Sequence, residues 1–333
     1  MNIGFHYYVT KTLAIKAGFS HKDAELIAYA CQYVDDATDH QVMVVKDMPE
    51  PLYERMYEEY FDPTCTSHKG IGNILYNFRN IRNKVLLPYH FIPEGWNKER
   101  KKFNYLTIPE APMSLDLIEL ALAELQSNKK DSRIRDTALI RLGIALHSYE
   151  DTFAHQNFSA RNSLKDNGVT DPIIRSNNRR RTNPFVGRLT GFLGYHIGHG
   201  LLGTFPDRFN TEITYIDGRK NRVYINTKVR FRKAARRVFD ILRAITGTPD
   251  TWGKLLPQLN VCLEVNRSRR SDWKRAFSAQ FKGTDYSYNP NQWKNITIRR
   301  DRDGNYRFSG DPIWFLYHQA AYEQRVFVMA TLS

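Results

Sequence analysis

The chain has 333 residues, 41% of them hydrophobic, with 49 Lys and Arg against 35 Asp and Glu, a formal net charge of +14. That is enough apolar residue to bury a sizeable core, as one large or two modest domains. No run approaches the ~18–20 apolar residues of a membrane span, which excludes a transmembrane anchor. The cysteines Cys31, Cys65 and Cys262 are odd in number and form no CxxC pair, which argues against a disulfide framework or a thiolate zinc site and fits a reducing compartment of synthesis.

Read in chain order, apolar spacing predicts helices over 7–18, 21–35, 71–83, 114–128, 132–160, 185–203, 228–246 and 312–330. Ser20 and Ser114 are the expected N-caps of the second and fourth. Residues 45–66 and 88–112 read as long ordered loops. Two hairpins are expected, one over 212–226 around Asp217-Gly218 and one over 294–308 around Asp303-Gly304. The expected fold is therefore all-α with one or two small β-hairpins. It divides into a helical metal-binding core, 1–207, and a basic C-terminal part, 208–333, packed onto it.

The most informative stretch is Ala145-Leu-His-Ser-Tyr-Glu-Asp-Thr-Phe-Ala-His155. It places His147, Asp151 and His155 at i, i+4 and i+8, so all three project from one helix face. Imidazole nitrogen and carboxylate oxygen are the ligands of a hydrolytic zinc, and successive turns bring them within reach of one ion or of two neighbours. A lone histidine is more often a core or surface residue; two histidines and an aspartate in register are not so easily explained. Glu150, one residue before Asp151, is rotated about 100° off that face. Further candidates are His6 at the start of the first helix, Asp35 and Asp36 at the end of the second, His68 or His90 in the loops, and His196, His199 and Asp207 around a Pro-marked helix end. His21 reads as surface and His318 as core.

This ordered series resembles the zinc-dependent phospholipase C and zinc single-strand nuclease superfamily. The resemblance spans roughly residues 1 to 207 and is densest over Leu146 to Asn157. It implies an all-helical fold, two or three zinc ions and phosphodiester hydrolysis. Carried over, His147 and Asp151 match the His-x-x-x-Asp ligands, His155 the following histidine, and His6 the early one. Asp35 or Asp36 matches the aspartate that bridges metals and acts as base, and His90 or His68 supplies a further ligand. His196 and His199 stand where the family has His-x-x-x-Glu, with Gly200 at the acidic position, so the third metal requires Asp207 as substitute. Secreted members also use the amine and carbonyl of an N-terminal tryptophan. Here the chain opens Met1-Asn-Ile-Gly-Phe-His6, with no signal-peptide pattern, so that ligand cannot form, though the Met1 amine lies close to His6. Cytoplasmic synthesis without a signal peptide is expected, with leaderless export left open, as would suit a toxin or effector.

The basic residues cluster in 175–182, 228–237 and 267–275. Such blocks attract polyanions, either nucleic acid or anionic lipid, unless they are merely a solvated face. Three functions follow. The first is a phospholipase C-like enzyme acting on phospholipid headgroups, with peripheral membrane contact and an apolar rim at Leu86 to Pro93. The second is a zinc nuclease acting on single-stranded nucleic acid. The third is a metal-stabilised binding module whose coordination is closed.

Overall fold

The computed structural model describes residues 1–68, 78–97, 99, 101–127, 132–176, 179–182, 198–264 and 269–332, with the side chains of 179–182 left aside. It is 54% helix and 14% strand, arranged with three sheets. The all-α expectation is thereby overturned in favour of a helix-dominated mixed fold.

A π-helical turn, Gly4–Val9, continues into the α-helix Thr10–Lys16 (together α1). Next come α2 (His21–Asp36), then a short turn Phe78–Ile81 that runs into a π-helix, Arg82–His90 (together α3). Then follow α4 (Pro112–Ser127), α5 (Ser132–Ala154) and a single turn, α6 (Leu164–Asn167). The C-terminal half adds α7 (Thr227–Thr246), α8 (Trp252–Leu263), α9 (Arg270–Gln280), α10 (Gln292–Thr297) and α11 (Ile313–Leu332). The expected helix over 185–203 falls mostly outside the described residues; only the 3-10 turn Gly200–Leu202 is seen there.

Local chemistry accounts for several boundaries. The Ser20 side chain accepts the Asp23 N–H and opens α2, while Asn226 accepts from Val229 and opens α7. Gly247, at φ +72°, takes the left-handed conformation that ends α7. α2 packs along α5, and Gly143 is why they come so close: a Cβ there would sit 2.3 Å from the Ile27 carbonyl oxygen. One principal core draws on residues from Met1 to Val328, including Phe5, Ile27, Leu142, Phe231 and Trp314.

The five-stranded sheet has the order β10-β11-β1-β3-β2. Its strands are β1 (Met43–Lys46), β2 (Met56–Tyr57), β3 (Tyr60–Phe61), β10 (Ile298–Arg300) and β11 (Tyr306–Phe308). β1 runs parallel to β11 and antiparallel to β3. Both expected hairpins exist, as β10–β11 and as β8 (Thr211–Asp217) with β9 (Arg222–Asn226). Neither stands alone. β6 (Val169–Ser176) and β7 (Arg179–Thr182) extend the second hairpin to four strands, and the segment 45–66 is not a loop throughout. A two-stranded hairpin, β4 (Gly95–Asn97) with β5 (Lys102–Asn104), lies in the other expected loop.

Candidate metal centre

α5 supplies the middle of the site. His147, Asp151 and His155 do share one face, and all three are buried. Asp151 is the hub. Its Oδ1 faces the Met1 amino nitrogen and His6 Nε2 (3.3 Å), and its Oδ2 lies 3.2 Å from His90 Nδ1 and 3.3 Å from His147 Nε2. On one side Asp35 Oδ1 stands 3.8 Å from His147 Nε2 and 4.0 Å from His90 Nδ1. On the other, Asp207 Oδ1 is 3.4 Å from His155 Nε2 and 3.7 Å from the Met1 nitrogen, and its Oδ2 is 3.3 Å from His199 Nε2.

The second nitrogen of each histidine fixes its ring. Nδ1 of His147 donates to the Cys31 carbonyl (2.8 Å), Nδ1 of His155 to the His90 carbonyl (2.6 Å) and Nδ1 of His199 to the Gly203 carbonyl (2.8 Å). His90 donates from Nε2 to the Thr66 carbonyl (2.9 Å), and His6 from Nδ1 to Glu150 (2.7 Å). A carbonyl can only accept, so the ring nitrogens that face one carry the proton, as does His6 Nδ1 when Glu150 is ionised. In the neutral ring the opposite nitrogen carries the lone pair, and in all five that nitrogen points into the cluster. This is the outer-shell arrangement that orients metal-binding imidazoles.

These donors fit a cation. His147 Nε2 and His90 Nδ1 lie 3.2 Å apart, lone pair towards lone pair, with Asp151 and Asp35 beside them. His6 Nε2 and Asp207 Oδ1 are buried without a hydrogen-bond partner. Acceptors facing acceptors in a buried space need positive charge between them. Asp35, His90 and His147 form one group with the spacing for an ion, and His155, His199 and Asp207 another. Cys31 lies in a third group, with His6 and His147, but its thiol donates a hydrogen bond to Glu150 and burial pushes its pKa well up. It is therefore a neighbour of the site and not a thiolate ligand. Burial likewise raises the Asp35 carboxyl, and it lifts Glu150 to about 8.

Two π-helical segments feed this centre, and each carries a histidine, His6 in α1 and His90 in α3. π turns are rare and often found at functional sites.

The structure separates several candidates that sequence left together. Asp36 turns away from Asp35: Tyr288 (2.9 Å) and Gln32 (3.1 Å) donate to it, and Arg270 lies 3.4 Å off, so its expected catalytic and ligand roles are withdrawn. One residue of helix rotates it by about 100°. His90 joins Asp35 and His147 in one candidate group, while His68 is in none of the three found among the described residues. His196 lies outside the described residues. Asp207, the expected substitute for an acid at Gly200, lies beside His155 and His199. Leu86 to Pro93, expected as an apolar rim, is instead mostly buried, and Phe91 stacks on His155 with ring centroids 4.4 Å apart. The spacing placed Glu150 off the metal face, and there it finds His6; only the position of α1 reveals that partner.

A helix-rich fold around a buried His and Asp cluster able to hold metal ions defines the class. The chain belongs to a family of unknown function (DUF6765), whose model matches residues 1–332. Neither curated proteins nor solved structures give a match. Among the described residues no helix is long and apolar enough to cross a membrane.

Proposed function

We propose that this protein is a zinc-dependent phosphodiester hydrolase of the phospholipase C-like kind. The observation that carries the reading is the set of five imidazole lone pairs converging on Asp151, Asp35 and Asp207. His6 and Asp151 would hold one ion, in place of the proton that the Met1 ammonium beside Asp151 carries, since its pKa there is raised to about 10. Asp35, His90, His147 and Asp151 would hold a second, and His155, His199 and Asp207 a third. Zinc held by such ligands supplies Lewis acidity to a phosphoryl oxygen and lowers the pKa of water.

The chain's own groups divide the remaining work. Asp35 is about a third exposed while Asp151 is 2% exposed, so solvent and substrate meet the cluster at the Asp35 side. There Asp35 would orient the attacking water and accept its proton. Asp151, surrounded by His6, His90, His147 and His155, holds the rings in register. Phe91 shields His155 from bulk water.

Phospholipid headgroups are favoured over nucleic acid because the most basic helix does not present a bare cationic face. On α7, Arg236 pairs with Asp240 and Asp250, Arg237 with Glu110, and Lys228 with Glu264. The test is to offer phosphatidylcholine and single-stranded DNA side by side to the zinc-loaded protein. Release of phosphocholine that is lost in Asp35→Asn supports the reading. Cleavage of DNA alone makes the protein a nuclease, and cleavage of neither leaves a metal-stabilised binding module.

A further inference from the structure

The outward face of the five-stranded sheet leaves large apolar side chains exposed, and its composition calls for a partner. Its register sorts the residues. Met43, Val45, Phe61 and Met56 face the core, while Val44 opposes Tyr60 and Tyr60 opposes Tyr57 on the other side. Those three are 49%, 52% and 64% exposed, and Val42, just before β1, is 59% exposed. On the same outer side, Lys46 pairs in register with Arg307, and Arg307 with Arg299. The face therefore reads across five strands as an aromatic and aliphatic half beside a cationic half.

The cationic half is costly in isolation, since like charges directly opposed on a sheet repel. Asp47 and Asp301 answer Arg307, but Lys46 and Arg299 make no ion pair among the described residues. Glu58 and Glu59, in the β2–β3 turn, bound the face at its far edge. Tyrosine with aliphatic side chains, next to lysine and arginine, matches the chemical layers of a bilayer surface: acyl boundary, then anionic headgroups. Two exposed valines among the tyrosines suit acyl chains better than stacked bases, which need flat aromatic platforms.

The sheet face also begins a short stretch of chain after Asp35. An open groove of about 600 Å³, lined among others by Asp39, His40, Val42, Val44, Lys294 and Arg300, joins the end of α2 to this face. Val42 follows Asp35 by seven residues, at most about 25 Å of chain.

We propose that the outer face of this sheet, carrying Val42, Val44, Tyr57, Tyr60, Lys46 and Arg299, is the surface by which the protein adsorbs to an anionic phospholipid bilayer. Its consequence for catalysis rests on the hydrolase reading; the adsorption itself does not. The test is cosedimentation of the full-length, zinc-loaded protein with phosphatidylcholine vesicles, with and without phosphatidylserine. Two variants are compared, Val44→Ser/Tyr57→Ser/Tyr60→Ser and Lys46→Glu/Arg299→Glu. All the changed side chains are exposed or half-buried, and circular dichroism checks the fold.

Wild type is expected to sediment with the serine-containing vesicles, and each variant to bind them at least about tenfold more weakly. Hydrolysis of a soluble phosphodiester, bis(p-nitrophenyl) phosphate, is expected to stay unchanged in both. Variants that fold and bind vesicles like wild type would overturn the proposal. So would wild type that ignores vesicles, whether the same substitutions abolish binding to single-stranded DNA or self-association, because the face then serves another occupant. Vesicle binding without any hydrolysis would overturn the hydrolase reading and leave the adsorption face standing.

Discussion

At the residue scale the site is a matter of which nitrogen of each ring is occupied. Glu150 shows how indirect that control is. Sequence spacing turns it off the metal face, and the structure puts it on the far nitrogen of His6, with Thr10 donating to its other oxygen at 2.8 Å. Outer-shell partners of this kind are worth roughly 10–100-fold in metal affinity. Glu150→Gln is therefore expected to fold normally and to lose metal to a competing chelator about tenfold more readily; unchanged retention would remove Glu150 from the site. His318 illustrates the histidine that does not belong. It is buried among Phe61, Trp314 and Tyr317, its Nδ1 accepts the Thr64 N–H (3.0 Å), and burial lowers its pKa to about 3. The unfolded chain protonates this ring near pH 6.5 while the folded one resists until about pH 3, so acid favours unfolding across that window. The cost at pH 4.5 is roughly 3 kcal/mol, nearly absent above pH 7. His318→Gln should flatten the loss of stability between pH 7 and pH 4.5 in urea titrations. An identical slope in both proteins would show that His318 is not what acid attacks.

At the element scale, the register of α5 was legible because three ligands repeat at four-residue intervals. The choice between Asp35 and Asp36 was not, since both end the same helix and only its packing against α5 selects one. That packing depends on Gly143, which in sequence is merely a weak helix residue. Gly143→Ala would drive a methyl group into the Ile27 carbonyl and force α2 away from α5. A cost of about 1–3 kcal/mol is expected, with lower zinc occupancy, because Asp35 and the Cys31 carbonyl ride on α2 while His147 and Asp151 ride on α5. Thermal melts and metal content measure the two effects, and loss of stability with full zinc occupancy would show that the helix spacing does not set the site. The strands escaped for physical reasons. β2 and β3 are two residues each, too short to display a period of two, and β6 is interrupted by Pro172 and an irregular register between Thr170 and Ile173. Hairpins signalled by Asp-Gly turns were readable; the strands that join them into sheets, at large sequence separation, were not.

At the scale of the whole molecule, the ligands come from distant parts of the chain, and only a common core brings them together. Met1 and His6 from the first helix, Asp35 from the second, His90 from a proline-bearing π-helix and Asp207 from a later loop meet around Asp151. Gathering five histidines and three aspartates in one largely buried space puts more negative charge there than the Met1 ammonium offsets, which favours a further cation. A metal that binds the folded state adds its binding energy to stability. The net charge of +14 bears less directly on this, because the basic helix is bridged to neighbouring carboxylates and the cations of the five-stranded sheet lie on another face.

The central claim is the metal cluster, and elemental analysis of the purified protein by plasma mass spectrometry tests it most directly, alongside His147→Ala/Asp151→Ala. The account predicts about three zinc ions per chain in the wild type, as its three ligand groups would hold, and their loss in the variant. Wild-type protein that holds no metal, even after zinc is added back, would contradict it.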